Sequence, residues 1–224
     1  MKNVIKLLIF VLVVSMTTGA FAQNFGLKGG LNLSNILAKD DNTTYSDDFK
    51  MNPGFHIGAT AEFPFSDMFS FETGLLLSTK GYKISEEETF MGKKIEMKIK
   101  TNLFYLDIPL TAKASFDLGD AKVFGLFGPY IGMGLTGQSK TVTTIDGKTE
   151  KEKEDVEWGS EKGKSDLKRL DFGLTIGAGV EIDLFQIGLG YNLGLANISP
   201  YNDGGMKINN RVIGLSVGYK FGGK

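Results

Sequence analysis

Residues 104–114 read Phe-Tyr-Leu-Asp-Ile-Pro-Leu-Thr-Ala-Lys-Ala. Phe104, Leu106, Ile108, Leu110, Ala112 and Ala114 fall on one side of a two-residue repeat, and Tyr105, Asp107, Thr111 and Lys113 on the other. Strands turn successive side chains to opposite faces, so this period marks a β-strand with one apolar and one polar face. The alternating segment covers 99–116, and others follow the same rule at 25–36, 54–65, 69–84, 121–137, 168–182, 185–196 and 210–221. Short turns at 66–68, 117–120 and 183–184 alternate with long polar connections at 37–52, 85–98, 138–167 and 197–209. Lipid offers backbone N–H and C=O groups no partner, so strands cross it only as a closed ring, with short turns on one side and long loops on the other. The pattern predicts an all-β fold, an eight-stranded antiparallel up-and-down transmembrane β-barrel.

The turns check the phase. Residues flanking a two-residue hairpin pair and share a face. Ile182 and Phe185 are both assigned to the apolar side, and so are Phe65 and Phe69, and Phe116 and Ala121, around the longer turns. Phe25, Phe63, Phe65, Phe69, Phe71, Phe116, Phe185, Tyr219 and Phe221 gather where strands meet the short turns or the chain ends, as in an interfacial aromatic girdle. A soluble calyx with its apolar face inward is the alternative; the regular alternation of loop lengths and the girdle weigh against it.

The start of the chain resembles a secretory signal peptide over 1–22. Lys2 and Lys6 precede an apolar stretch too short to span a bilayer, and Ala20-Phe21-Ala22 is a small-x-small cleavage site. One domain is then expected over 23–224. There is no Cys, so disulfides and an N-terminal lipid anchor on Cys are excluded. The net charge of −1 carries no nucleic-acid footprint.

The polar face collects Lys28, Glu62, Glu72, Lys80, Asp107, Lys113, Asp171, Glu181 and Lys220, with His56 beside them. Facing lipid, a lysine near the midplane would cost about 2–4 kcal/mol. Facing inward, these groups can pair into a polar core, and eight strands enclose a bore just wide enough to be filled by side chains. An ion path through the lumen is the sharper alternative. Pro109 and Pro129 fall inside strands, where bulges or partial opening are expected. His56 has neither a metal-ligand set nor a Gly-x-Ser-x-Gly elbow around it, so a hydrogen-bonded lumen residue is the expectation, against a lipid hydrolase using a Ser partner. No cofactor is implied. The acidic pairs Asp40-Asp41 and Asp47-Asp48 and the run Glu86-Glu87-Glu88 could bridge to lipopolysaccharide through divalent ions, without EF-hand spacing. The sign-alternating stretch 148–169 reads as a solvated, mobile loop, with Trp158 a candidate partner contact.

Four segments carry a family likeness: Phe104-Tyr105-Leu106-Asp107-Ile108-Pro109-Leu110; Gly128-Pro129-Tyr130-Ile131-Gly132; Asp171-Phe172-Gly173 with Gly177-Ala178-Gly179-Val180-Glu181; and Gly26-Leu27-Lys28-Gly29-Gly30-Leu31-Asn32. Together they resemble the Bacteroidetes outer-membrane β-barrel family, often labelled porin family or PorT-like. The resemblance covers the mature chain and implies an eight-strand barrel in the cell outer membrane of a Gram-negative bacterium. It also implies that both prolines are ordinary for such barrels, and that a C-terminal strand ending in Phe221 addresses the barrel-assembly machinery. It carries no catalytic residues. Three functions follow as expectations. One is a monomeric, non-enzymatic barrel of OmpX or OmpA-barrel type, in contact with outer-membrane lipid and lipopolysaccharide, with a largely filled lumen and loops for a partner. The others are a narrow channel for ions or small solutes and a lipid-modifying enzyme using His56. A link to protein secretion is only an association by family label.

Overall fold

The computed structural model describes residues 24–45, 49–90 and 93–221. The expected signal peptide, Asp47-Asp48 and the last three residues lie outside the described residues. Among the described residues nine strands run in chain order: β1 (Asn24–Lys39), β2 (Asn52–Pro64), β3 (Phe69–Phe90), β4 (Lys93–Asp117), β5 (Ala121–Ile145), β6 (Lys148–Asp155), β7 (Leu170–Ile182), β8 (Phe185–Gly194) and β9 (Lys207–Phe221). Every strand pair is antiparallel. Eight strands form a ring in which β1 pairs with both β2 and β9, and β4 pairs with β5, while β6 attaches to β5 alone. The predicted eight-strand barrel is therefore present, with a ninth strand outside its wall.

The partition of side chains is the reverse of that in water-soluble proteins. Leu31, Ile57, Ile176, Leu189 and Leu215 are exposed on the outer face, while Lys80, Lys113 and Asp171 are buried to about 1% exposure or less. Aromatic residues of the girdle face one another across strands in the pairings Phe25–Phe221, Phe63–Phe71 and Phe185–Tyr219. The rings of Phe185, Tyr219 and Phe221 meet edge to face at 5.2 and 5.3 Å, and Phe65 stacks on Phe69 at 6.3 Å.

Three local expectations need correction. The 138–167 connection is not a mobile loop through its first half: β5 runs on to Ile145, turns at Asp146-Gly147 and returns as β6. Asp146 and Gly147 have φ of 51° and 83°, the left-handed conformation that a tight hairpin needs and that Asp and Gly tolerate. Likewise 85–98 is not a loop, because β3 and β4 stay paired out to Phe90 and Lys93. With β5 and β6 they form a four-stranded blade above the barrel mouth. A barrel strand crosses a bilayer in about 9–11 residues, and β4 and β5 have 25 each, so much of their length stands clear of the membrane.

Of the two outcomes expected at the prolines, partial opening is the one observed, without a bulge. The ladder lapses beside Pro109 and Pro129 and resumes in the same register, and the hydroxyl of Thr73 donates to the Pro109 carbonyl at 2.7 Å. The bulge sits higher, where Phe104 pairs with Thr136 and Tyr105 with Gly134, leaving Leu135 unmatched. The 117–120 turn is also tighter than expected. Asp117 pairs with Lys122, which keeps the phase.

Leu189 pairs with Leu215 midway up the wall and faces lipid. Leu189→Arg is expected to lower barrel stability by about 2–4 kcal/mol, read as a shift in the urea unfolding midpoint in lipid vesicles.

Candidate functional site

The inward face brings all ten residues singled out in the sequence into one lumen, at three levels. Nearest the short turns, Lys113 contacts Glu62 at 3.1 Å, Glu181 more closely still, and Glu72 at 3.9 Å. Lys220 bridges the same Glu62 and Glu181 at 2.8 Å, and Lys28 pairs with Glu72. Ser70 and Gln186 donate to Glu62 and Glu181 respectively, and the Lys113 ammonium lies 4.5 Å from the centre of the Phe124 ring. The strands put these groups together because Glu62 and Glu72 are opposite each other on β2 and β3, and Lys113 is diagonal to Glu72 on β4.

The middle level is neutral. The imidazole of His56 is held at both nitrogens, 2.8 Å from Asn32 Oδ1 and 2.9 Å from Ser216 Oγ. Asn32 in turn donates to Ser78 Oγ at 3.1 Å and to the Thr79 carbonyl at 3.0 Å. Here lies a cavity of about 110 Å³, bounded by His56, Ser216 and Thr175, with Glu72 below and Asp107 and Tyr130 above. It has room for several water molecules at roughly 10–15 Å³ each.

In the upper level, Lys80 is the hub. Its ammonium is 2.9 Å from both Asp107 and Asp171, and lies 4.5 and 4.7 Å from the centres of the Tyr105 and Tyr130 rings. Tyr130 and Asn210 both donate to Asp171, at 3.2 and 3.0 Å. Above this cluster the polar lumen ends in an apolar cap. Leu103, Tyr105, Leu167 and Ile198 are buried together with Val156, Trp158 and Ile208 against them. Trp158, read from the sequence as a candidate partner contact, instead meets Tyr105 edge to face at 5.6 Å. The 156–167 segment is tied down by Val156 donating to the Gly137 carbonyl and by Arg169 donating to the Gly134 carbonyl, both at 2.9 Å.

The sequence reading missed this cap, and glycine placement is the signal that could have found it. Gly132, Gly134 and Gly137 line the inner face of β5. A Cβ on Gly134 would sit 2.4 Å from the Trp158 ring, and one on Gly132 would sit 2.5 Å from Asp107. Small residues at these positions are the room that the cap and the Lys80 cluster occupy.

Ser216, His56 and Asn32 have the hydrogen-bond connectivity of an acyl-transfer triad. Such chemistry also needs donors aimed at a developing oxyanion. Around Ser216 the backbone is committed to the ladders with β1 and β8, and Lys28 is held by Glu72. The arrangement holds the His56 ring at both of its nitrogens. Among the described residues no group of His, Cys, Asp and Glu is arranged to hold a metal ion. Outside the wall, Tyr45 and the Asn42 and Thr43 amides donate to Asp40 and hold its carboxyl below the usual carboxylate range.

A family model described as outer membrane protein beta-barrel domain matches residues 21–199. Solved structures of similar shape include Ail, the attachment invasion locus protein of Yersinia pestis, at 17% identity over 90% of this chain and 100% of that one, with a TM-score of 0.32. Neisserial surface protein A matches at 11% identity over 88% and 97%, with a TM-score of 0.39. The outer membrane protease OmpT from Escherichia coli matches at 10% over 92% and 99%, with a TM-score of 0.33. No curated protein matches the chain in sequence.

Removing one partner from a buried ion cluster leaves the others uncompensated. Lys80→Met, which strands Asp107 and Asp171, is expected to cost about 3–5 kcal/mol, whereas Lys122→Met, at an exposed pair with Asp117, should cost about 0–1 kcal/mol. Urea titrations in detergent micelles compare the two. Trp158 is the single tryptophan, so its emission reports the cap alone. Gly134→Val is expected to expel the ring and shift the emission to the red in a barrel that still shows its heat-modifiable gel mobility.

Proposed function

The chain belongs to the outer membrane protein beta-barrel domain family and lies in the outer membrane, and from that premise we propose that it is a monomeric, non-enzymatic barrel with a closed lumen. Its work is done by the blade and loops on the side away from the short turns. One observation carries this reading. The lumenal lysines are engaged by carboxylates at two separate levels, Lys113 with Glu62 and Glu181, and Lys80 with Asp107 and Asp171, and the Trp158 cap lies over the upper one. An ion entering this bore would have to break paired charges twice, with little room to pass. A channel for ions or small solutes is thereby disfavoured. A lipid hydrolase at Ser216 and His56 is disfavoured because the pair sits inside the bore, between the ion clusters.

Within the family, the segments around Pro109 and Pro129 ally the chain with the Bacteroidetes barrels labelled porin family or PorT-like. Outer-membrane lipid and lipopolysaccharide are its surroundings in this reading, and the barrel-assembly machinery would recognise the strand ending in Phe221.

Planar-bilayer recording of refolded residues 23–224 tests the closed lumen. Folded protein is expected to leave the membrane electrically silent, and reproducible unit steps would sink the reading. A fluorophosphonate probe tests the enzyme alternative. Ser216 is expected to stay unlabelled in the folded barrel; labelling that disappears in Ser216→Ala would make the chain a serine hydrolase.

A further inference from the structure

The blade separates charge by face. On β6, Lys151 and Lys153 alternate with Glu150, Glu152 and Glu154, so the pleat sends the lysines to one side and the glutamates to the other. The neighbouring strands do the same in register. Lys153 is directly opposite Lys140 on β5, Lys140 is opposite Lys100 on β4, and Lys100 is opposite Lys83 on β3. An isolated bridge adds Lys50 opposite Lys83, with both backbone hydrogen bonds exchanged, at 2.7 and 3.1 Å. Five lysines thus stand in one cross-strand row. At about 4.8 Å per strand the row is roughly 19 Å long. Lys98 and Lys151 lie next to it on the same face.

The acidic groups of this face lie elsewhere. Glu87 and Glu96 are near the blade tip, engaged by Lys94 at 2.8 and 2.9 Å, and Lys98 also reaches Glu96. Those ammonium groups hold the Glu96 carboxyl below the ordinary carboxylate range. Asp155 accepts from Gln138 at 3.3 Å, on the barrel side of the row. Among the described residues, none of the five row lysines forms an ion pair, although like charges set directly opposite each other destabilise a sheet.

The position of the row identifies its partner. Alternation along β4 is unbroken, so Lys100 is on the same side of the strand as Phe104 and Leu106, the lipid side. From Phe116 to Phe104 the apolar band rises about 30 Å at the usual strand tilt. Lys100 is about 10 Å higher, just above the hydrocarbon on the loop side, where charged headgroups lie. Lysine stems are long enough to reach down toward that layer. The glutamate face, with Glu86, Glu88, Glu150, Glu152 and Glu154, is turned away from it.

We propose that the row Lys50–Lys83–Lys100–Lys140–Lys153 is a docking surface for the phosphate groups of lipopolysaccharide in the outer leaflet. This rests on the outer-membrane reading, with the long hairpins facing outward, and not on whether the lumen conducts. The row fits an array of fixed phosphates, because its lysines repeat at the strand spacing and Lys100 lies just above the hydrocarbon.

The test uses the full mature barrel in mixed micelles containing diphosphoryl lipid A, with affinity read by titration at two salt concentrations. The triple variant K83Q/K100Q/K140Q is expected to bind at least tenfold more weakly and with a shallower salt dependence. The variant K93Q/K148Q removes charge from the opposite face and is expected to bind as the unaltered protein does. Monophosphoryl lipid A should bind more weakly than the diphosphoryl form. Equal affinity in all three proteins, or equal loss in both variants, overturns the proposal. So does sodium triphosphate binding as tightly as lipid A, because the site would then serve a soluble polyanion. Heat-modifiable mobility checks that each variant is folded. Bilayer conductance reads the lumen and not the blade, so failure here and failure of the closed-lumen reading are separate results.

Discussion

Hydrocarbon cannot hydrogen-bond to a peptide group, and every other feature of this chain depends on that. A sheet in lipid must have no free edge, so the eight strands close through the β4–β5 and β1–β9 ladders. Closure with eight strands fixes a bore about as wide as the side chains that fill it. The outer face then has to be apolar, and the charges have nowhere to go but inward. Once inside, they must pair. Lys113 is surrounded by carboxylates from β2, β3 and β7, and Lys80 is bound to acids on β4 and β7. Such clusters add little stability over an apolar filling, but each member is costly to remove alone. They join strands that are not neighbours in the wall, and so set the cross-section of the bore.

A narrow bore also limits volume. Tyr105, Tyr130, Phe124 and Trp158 point into a space that holds four large rings only because the neighbouring strands carry glycine beside them, Gly134 opposite Tyr105, Gly173 opposite Tyr130 and Gly179 opposite Phe124. The Phe124 ring lies 2.5 Å from where a Cβ on Gly179 would be, and Trp158 lies over Gly134. Glycine in a strand usually weakens it through backbone entropy. Here the surrounding ladders hold the strand in place, and the glycines provide space that the polar and apolar fillings share. The lumen is therefore layered: ions near the short turns, hydrogen-bonded amides and His56 in the middle, ions again, then the apolar cap.

Much of this was legible in the sequence because a period of two converts directly into in or out. Residues 104–114 assign Asp107 and Lys113 inward with no further information, and the Ile182–Phe185 hairpin fixes the phase of its neighbours. The pairing of particular charges was not legible. Lys80 meets Asp171 across the bore, 91 residues away in sequence, and only closure of the ring sets that distance. The hairpin at Asp146-Gly147 is legible as well, although the charges that follow it have the pattern of a solvated loop. A β-branched run, Thr141-Val142-Thr143-Thr144-Ile145, leading into Asp-Gly is a strong local hairpin signal. The prolines, too, are legible as the places where the ladder opens. Where the ladder lapses beside Pro109, the hydroxyl of Thr73 on β3 donates to the proline carbonyl, a contact that only strand pairing sets.

The blade extends the barrel's alternation into water, where it acquires a different meaning. In lipid the two faces of β4 and β5 must differ in polarity. Above the membrane no such constraint applies, and mixed charges on both faces would keep the edge of β6 soluble equally well. The chain instead puts most of the blade's lysines on the continuation of the lipid-facing side, with Glu87, Glu96 and Asp155 at the ends of that face, and most of its glutamates on the continuation of the lumenal side, with Lys93 and Lys148 among them. Where like charges meet at the tip, Glu87 opposite Glu96, Lys94 lies between them and offsets the repulsion. No described acid does this for Lys83, Lys100, Lys140 and Lys153. Repulsion along that row opposes folding of the blade, and water and salt relieve only part of it. No described acid offsets this cost, and anionic headgroups at the membrane surface are the partner that the row is proposed to meet.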